Sequence, residues 1–272
     1  MSERRSRGFT AGSIPQAYDR FMAAQLFEPW ARELVDRAGL TRGSSVLDVA
    51  TGPGTVARLA ASVVGPGGRV VASDISAAML AVAAGKPAGP GWAPIEYLES
   101  PAAAIGFPEG TFDAVLCQQG LQFFPDRAGA VREMGRVTRR DGIVLLSTWA
   151  SERPLGLFGP MTDVLKEVGM DEPYPRAFDA QSYSLSAAEL RRLLSETGLR
   201  EATVETVELE AVWHSEDDAV ATLMGTPYAP GVTALPADVQ RRIRELLAAR
   251  LGQAPDGTFT IRTASHIGRG VK

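Results

Sequence analysis

Apolar and polar residues along the chain fall into two alternating periods. From Gln25 to Ala38 the apolar positions Leu26, Phe27, Trp30, Leu34 and Val35 recur at helical spacing, and Gly39 supplies a stop. Ser45 to Ala50 is a short apolar run that ends in a glycine-rich turn, and Thr55 to Val64 is helical again until Gly65, Pro66, Gly67 and Gly68 break it. The alternation then repeats, with strands over Arg69 to Ser73, Ile95 to Leu98, Phe112 to Cys117 and Ile143 to Thr148. Helices over Ala77 to Ala84 and Ala128 to Thr138 lie between them. Strands that alternate with helices predict a parallel, doubly wound sheet.

Beyond Trp149 the rhythm changes, because Pro154, Gly156, Gly159, Pro160, Pro173 and Pro175 punctuate short helical stretches until Ala187 begins a helix that ends at Gly198. Ala202 to Val212 and Thr258 to Ile267 read as strands, with helical stretches over Asp217 to Met224 and Ala237 to Leu251 between them. The expected fold is α/β: a Rossmann-like, doubly wound, mostly parallel sheet with an antiparallel edge hairpin and a helical cap built from insertions. The expected organisation is a single domain over 1–272, with N-terminal helices in 1–44, a ligand-binding core in 45–150 and cap insertions in 151–181 and 215–255. No repeat of solenoid spacing occurs, and the only biased stretch is the Ala/Gly/Pro-rich linker from Ala83 to Pro94.

Composition narrows the functions open to this fold. At 272 residues, 45% hydrophobic and 22% charged, the chain can bury a large core. A formal net charge of -4 lacks the basic stripe that a phosphate-backbone binder needs, and Arg4, Arg5 and Arg7 read as a disordered tail. The basic residues are arginines except Lys86, Lys166 and Lys272, a skew that reflects a GC-rich genome more simply than anion recognition. Cys117 is the lone cysteine, which rules out an internal disulfide and a thiolate metal cluster. With neither a membrane-length apolar run nor a cleavable leader pattern, the expected location is the cytoplasm.

The chemistry concentrates in Val46-Leu47-Asp48-Val49-Ala50-Thr51-Gly52-Pro53-Gly54-Thr55-Val56-Ala57, a strand feeding a glycine turn that opens a helix. Gly52 and Gly54 remove side chains that would keep a ligand off the backbone, and the helix amides beyond them favour a carboxylate or phosphate. The same residues satisfy the dinucleotide pattern G-x-G-x-x-A, with Asp74 at ribose distance, so the turn alone leaves a nicotinamide cofactor open. Asp48 tilts the balance, since a carboxylate at the end of the first strand suits the ammonium of a methionine moiety and repels a pyrophosphate. The fourth strand ends in Gln118, Gln119 and Gln122, where an open α/β sheet places its ligands and where amides suit a neutral, polar substrate.

The stretches VLDVATGPGTVA, VVASDISAAML, FPEGTFDAVLCQQGLQFFPD and REMGRVTRRDGIVLLSTW, in this order and spacing, resemble the class I methyltransferases. The resemblance runs from about Tyr18 to Trp149 and is nearest in style to the ubiquinone and menaquinone biosynthesis branch and its natural-product relatives. It implies an S-adenosyl-L-methionine cofactor, with S-adenosyl-L-homocysteine as product, and a small-molecule acceptor methylated on oxygen, carbon or nitrogen. Residue by residue it implies that Asp48, Ala50, Thr51, Gly52, Pro53 and Gly54 surround the methionine part, with Tyr18 also among the cofactor-binding residues. Asp74 would accept both ribose hydroxyls, Ile75 and Met79 would lie against adenine, and the Gln118 carbonyl would meet the ammonium. Pro101 and Ala102 stand where relatives often carry an acidic or amide residue followed by alanine, which leaves Ser100 or backbone near Ala102 to meet the adenine amino group. Ala50 stands where many relatives carry glycine.

For the acceptor, the candidates are Gln119, Gln122, Phe123, Trp149, Phe158, Met161, Tyr183 and Trp213, with His214 as candidate general base. Each has a plainer reading: a strand-to-helix turn for the glycines, a helix cap for Asp74, a solvated loop for the glutamines and core packing for Trp149 and Trp213. His266, the other histidine, reads as structural, and two histidines without a carboxylate or cysteine pattern predict no metal. Cys117-Gln118-Gln119-Gly120 replaces the Asn/Asp-Pro-Pro-aromatic motif of nucleic-acid amino methylation, so no nucleic-acid partner is expected. Three rival readings stay open: a cyclase or pericyclase on the same scaffold, a nicotinamide-dependent oxidoreductase, and a non-catalytic binding protein. The chain reads as a monomer or homodimer.

Overall fold

The structure, a computed structural model, describes residues 14–151, 158–170, 184–226 and 228–272. The Arg4, Arg5 and Arg7 tail and Tyr183 lie outside the described residues, as does the side chain of Phe158. Helix α1 (Ile14–Tyr18) runs into a π-helical segment (Asp19–Phe27) and then α2 (Glu28–Arg37). The core follows as β1 (Ser45–Val49), α3 (Thr55–Val64), β2 (Arg69–Asp74), α4 (Ala77–Ala84), β3 (Ile95–Glu99), β4 (Phe112–Gln118), a 3-10 turn (Leu121–Phe123), α5 (Arg127–Val137) and β5 (Thr138–Ala150). The remainder is α6 (Phe158–Glu167), β6 (Ser184–Leu185), α7 (Ala187–Glu196), β7 (Arg200–Trp213), α8 (Glu216–Ala221), a 3-10 turn (Thr222–Gly225), α9 (Ala229–Thr233), α10 (Ala237–Leu251) and β8 (Phe259–Val271).

The strands form one eight-stranded sheet in the order β3-β2-β1-β4-β5-β8-β7, with β6 paired to β5. β1, β2, β3, β4 and β5 pair in parallel, whereas β8 pairs antiparallel with both β5 and β7. The expected mostly parallel sheet and its antiparallel edge hairpin are both present. The chain order reverses across β1 and β4, so the carboxyl ends of those two strands flank the crevice in which such sheets take their ligands.

Local chemistry explains where the core elements begin and end. Gly54 holds φ 83 as the left-handed N-cap of α3, and Gly65 ends that helix at φ 67. The Ser76 hydroxyl accepts from the Met79 amide and starts α4, while the Asp126 carboxylate accepts from Gly129 and starts α5. Ser186 and Glu189 form a capping box on α7. Strand β1 is buried at Val46, Leu47, Asp48 and Val49, as expected of a strand covered on both faces.

The core has three parts. On one face α2 and α3 pack Ala31, Leu34, Ala57 and Ala60 against Val46, Val70 and Leu116. On the other, α5 and α7 pack Val131, Met134, Leu190 and Leu194 against Leu47, Val115 and Leu146. The third part gathers Met22, Leu26, Phe27 and Trp30 from the N-terminal helices with Trp149, Met161, Trp213, Leu223, Tyr228, Leu247 and Phe259. The periodicity-based reading bounded a helix only from Gln25 to Ala38 within the expected N-terminal helices and took Asp217 to Met224 as one helical stretch, whereas the structure starts the helical run at Ile14 and divides Glu216–Gly225 into a helix and a 3-10 turn. In the structure this N-terminal stretch is helical and sealed by contacts distant in sequence.

Candidate active site

The site begins at β1, whose last residues deliver the chain into the glycine turn. Asp48 is 1% exposed. Its Oδ2 accepts from the Thr51 hydroxyl at 2.5 Å and from the Ala57 amide at 3.0 Å, so the carboxylate ties the turn to the first turn of α3. Its Oδ1 has no partner among the described residues. Burial raises its pKa to about 7, against the pull of those two hydrogen bonds, and Asp74 adds to the rise.

The turn is conformationally unusual: Ala50, Gly52 and Gly54 all have positive φ, at 57, 54 and 83. Only Ala50 is not glycine, which makes it a strained non-glycine residue at the place where many class I methyltransferases carry glycine. Gly54 is also held by space, because a Cβ there would meet the Ala83 Cβ at 3.0 Å.

Asp74 closes β2 and is fixed at both oxygens. The Gly52 amide donates to its Oδ2 and the Ser76 amide to its Oδ1, each at 2.9 Å. Burial pushes its pKa up as well, while the amides of Ser76, Gly52 and Ile75 pull it down. The N-cap of α4 is Ser76, so the capping reading considered for Asp74 belongs to its neighbour. Ile75 is 56% exposed beside it and Met79 is buried. The Ser100 amide donates to the Asp74 carbonyl, and the Ser100 hydroxyl is buried without a partner among the described residues; Pro101 follows, exposed.

The N-terminal helices cover this region from above. Tyr18 stacks on Phe27 with ring centroids 4.9 Å apart, and its hydroxyl pKa is raised by burial, then by the charges of Asp74 and Asp19. Lys86 reaches back from the end of α4, donating to the Pro53 carbonyl at 2.8 Å and pairing with Asp19. The Gln118 amide donates to the Phe27 carbonyl at 2.8 Å. The Asp19 and Lys86 contributions were not read from the sequence, since nothing local marks a π-helical stretch that folds back onto a distant turn.

The glutamines at the end of β4 are not a solvated loop: Gln119 and Gln122 are 6% and 1% exposed. Trp149 is buried among Phe27 and Trp30, and Met161 lies in the same cluster. Phe123 is half-buried on its 3-10 turn. Trp213 is likewise closed inside the cluster, which favours the packing reading for it. His214 is not brought to the site. Across the hairpin, Trp213 pairs with Phe259, whereas Trp149 pairs with Ser265, six residues further along β8. His214 therefore stands about 20 Å past the end of β5, exposed and facing the Asp256 charge. The expectation of a general base there is withdrawn on that geometry.

Residues 47–146 match the family model described as a methyltransferase domain. Over 138 residues, 49% of this chain, it is 36% identical to the ubiquinone/menaquinone biosynthesis C-methyltransferase UbiE of Hahella chejuensis and spans about half, 55%, of that relative. The UbiE enzyme of Escherichia coli is 27% identical over 216 residues, 78% of each chain. Among solved structures, a SAM dependent methyltransferase from Aquifex aeolicus superposes with a TM-score of 0.55 at 17% identity, covering 92% of this chain and 97% of that one. The sheet order and the glycine turn are those of the class I S-adenosylmethionine-dependent methyltransferase fold, and residues 47–146 carry the match to the methyltransferase domain. Among curated proteins of that class, the chain is similar to the UbiE enzymes. No helix among the described residues is long and apolar enough to cross a membrane.

Proposed function

We propose that this protein transfers the methyl group of S-adenosylmethionine to a small, flat acceptor of the kind that quinone or secondary-metabolite biosynthesis supplies. The observation that carries the reading is the pair of carboxylates at the glycine turn. Asp48 keeps an oxygen unpartnered among the described residues behind the turn, Asp74 stands across it, burial raises the pKa of both, and the Asp74 charge raises that of Asp48 further. A buried and a half-buried acid, with no cationic side chain paired to either among the described residues, favour a ligand that brings positive charge and disfavour a pyrophosphate. The carboxylates therefore fit a sulfonium- and ammonium-bearing cofactor better than a nicotinamide dinucleotide.

In this reading Asp48, Ala50, Thr51, Gly52, Pro53 and Gly54 hold the methionine part, with the Gln118 carbonyl and Tyr18 above it. Asp74 accepts from the ribose hydroxyls on lone pairs its two amide bonds leave over, Ile75 and Met79 flank adenine, and the unpartnered Ser100 hydroxyl, with Pro101 and Ala102, lies at the adenine edge. When bound, S-adenosylmethionine supplies an electrophilic methyl whose bond to sulfur breaks with the electron pair left on sulfur. The chain's own task is alignment and exclusion of water, which the aromatic cover of Phe27, Trp30 and Trp149 serves. Gln119, Gln122 and Phe123 border the acceptor's polar atoms, and α6 with the helices between β7 and β8 roofs them, Met161 of α6 among the roof residues.

The relatives' name supports carbon as the methylated atom and a quinone precursor as the acceptor, and the neutral glutamines agree with an uncharged ring. The negative net charge and the absence of the amino-methylation motif favour a small molecule over nucleic acid. The test is calorimetry with S-adenosylhomocysteine and with NAD, followed by a labelled-methyl screen of hydroxylated aromatic acceptors. Tight NAD binding with none for S-adenosylhomocysteine overturns the assignment.

A further inference from the structure

At the carboxyl end of β4 the chain spends stability in a way that packing does not explain. Gln119 sits at φ 52, a conformation that strains a non-glycine residue, and it is pinned there by its amide's bond to the Ser147 carbonyl at 2.9 Å. Its side chain is almost wholly buried. The Nε2 donates to the Ser265 hydroxyl at 2.7 Å, and the Oε1 has no partner among the described residues. Beside it Gln122 accepts from the Trp149 amide at 3.2 Å through Oε1 and leaves Nε2 unpartnered, and the Ser147 hydroxyl is also buried and unpartnered. A buried polar atom left without a hydrogen bond destabilises the fold, so this cluster is unfavourable unless something satisfies it.

The sheet places these groups together. Ser265 lies opposite Trp149 in the antiparallel pair of β8 with β5, and Ser147 precedes Trp149 by two residues, so all three side chains share one face. That is the face covered by Phe27 and Trp30. The cluster offers one free acceptor, Gln119 Oε1, and two free donors, Gln122 Nε2 and the Ser147 hydroxyl. All four side chains are uncharged, and a charged group buried against them would lack a counter-ion.

We infer that Ser265 on β8 and Gln119, the residue just past β4, form the polar pair that reads a neutral hydroxyl or carbonyl on the acceptor, supported by Gln122 and Ser147. The acceptor class this implies rests on the methyl-transfer reading above. Ser265 sits far outside the matched domain, and no sequence pattern singled it out. Its part is to fix the Gln119 amide so that Oε1 and the remaining Ser265 lone pair face the same ligand group. Gln119 is the group that touches the acceptor; Ser265 is both contact and positioning residue.

The experiment titrates the protein, saturated with S-adenosylhomocysteine, with 1,4-dihydroxynaphthalene and with naphthalene by ligand-observed NMR under reducing, anaerobic conditions. The wild type prefers the diol by about tenfold or more, the equivalent of one hydrogen bond of about 1.4 kcal/mol. Ser265→Ala and Gln119→Leu bring that ratio near one while their affinity for S-adenosylhomocysteine stays at the wild-type value, and Ser265→Thr retains the preference. Ser265→Ala removes one oxygen and keeps the fold's volume, so it carries the test if Gln119→Leu does not fold. An unchanged ratio in Ser265→Ala, or equal binding of the two naphthalenes by the wild type, overturns the pair. The acceptor reading fails separately: binding preference intact, but no labelled methyl transferred to any hydroxylated aromatic.

Discussion

Asp48 is a buried carboxylate whose pKa stands near 7 in the ligand-free protein, and that single property couples stability, pH and cofactor binding. The folded state keeps its proton up to about pH 7, whereas the unfolded chain loses it near 4. Between those values the folded state binds more protons, so Asp48 makes the protein less stable as pH rises across the window, by a few kcal/mol in order of magnitude. Asp48→Asn preserves an oxygen for the Thr51 and Ala57 bonds and places its amide where Oδ1 has no partner. It should raise the melting temperature at pH 8, flatten its pH dependence, and weaken S-adenosylhomocysteine binding; thermal melts from pH 5 to 9 with calorimetry check all three. In the wild type, cofactor affinity should climb as pH passes through about 7, with a buffer-dependent calorimetric enthalpy from the released proton. Asp74→Ala removes both the amide partners' acceptor and the proposed ribose contact, and should cost about 1.5–3 kcal/mol of cofactor binding, roughly 10- to 150-fold in Kd. An unchanged Kd would leave Asp74 with only its role of joining the turn to α4.

Among the elements, the π-helical segment is the one whose sequence gives least away and whose placement matters most. It is anchored at its start by Lys86, which also holds the Pro53 carbonyl of the glycine turn, and along its length by the Thr222 hydroxyl donating to the Phe21 carbonyl. The Lys86 pair is about a quarter exposed, and the cost of desolvating its two charges offsets much of their attraction, so its net worth to overall stability is modest. Its effect is on opening: Lys86→Ala should leave the melting temperature within a few degrees and speed release of S-adenosylhomocysteine, read by stopped-flow fluorescence. Gly225 sits so close beneath that a Cβ would meet Met22 Sδ at 2.8 Å and the Tyr18 Cα at 3.0 Å. Gly225→Ala should therefore displace the N-terminal cover and weaken cofactor binding as well as stability; wild-type affinity in that variant would show the cover to be dispensable.

At the scale of the whole molecule, the third core cluster binds the N-terminal helices, α6, the helices between β7 and β8, and the upper ends of those strands into one layer over the sheet. Trp213 is at its centre, 1% exposed, with its Nε1 unpartnered among the described residues. Trp213→Ala opens a large cavity there and should cost about 3–5 kcal/mol of stability. Because Trp213 lies beyond the end of β5 and inside this packing, its loss should leave the acceptor KM near the wild-type value in chains that stay folded. A rise in KM matched by little loss of melting temperature would instead put Trp213 on the acceptor.

The alternation of short apolar runs with amphipathic stretches determined the parallel sheet, and Gly65, Ser76 and Asp126 determined element ends within a residue or two, because capping and turn chemistry are local. Asp48, the glycines and Asp74 were legible for the same reason: they sit at strand ends in a pattern whose spacing is fixed by the strand-turn-helix itself. What the chain does at a distance was not legible. The left-handed Ala50 and Gln119, the return of Asp19 to Lys86, and the meeting of Gln119 with Ser265 each join residues that only the folded sheet brings together. His214 shows the converse, since its place after a strand suggested the site, while the register of the hairpin carried it past the end of β5. Register depends on pairing partners far apart in sequence, so one sequence read along its length fixes the elements and their chemistry but leaves to tertiary structure which side chains share a face.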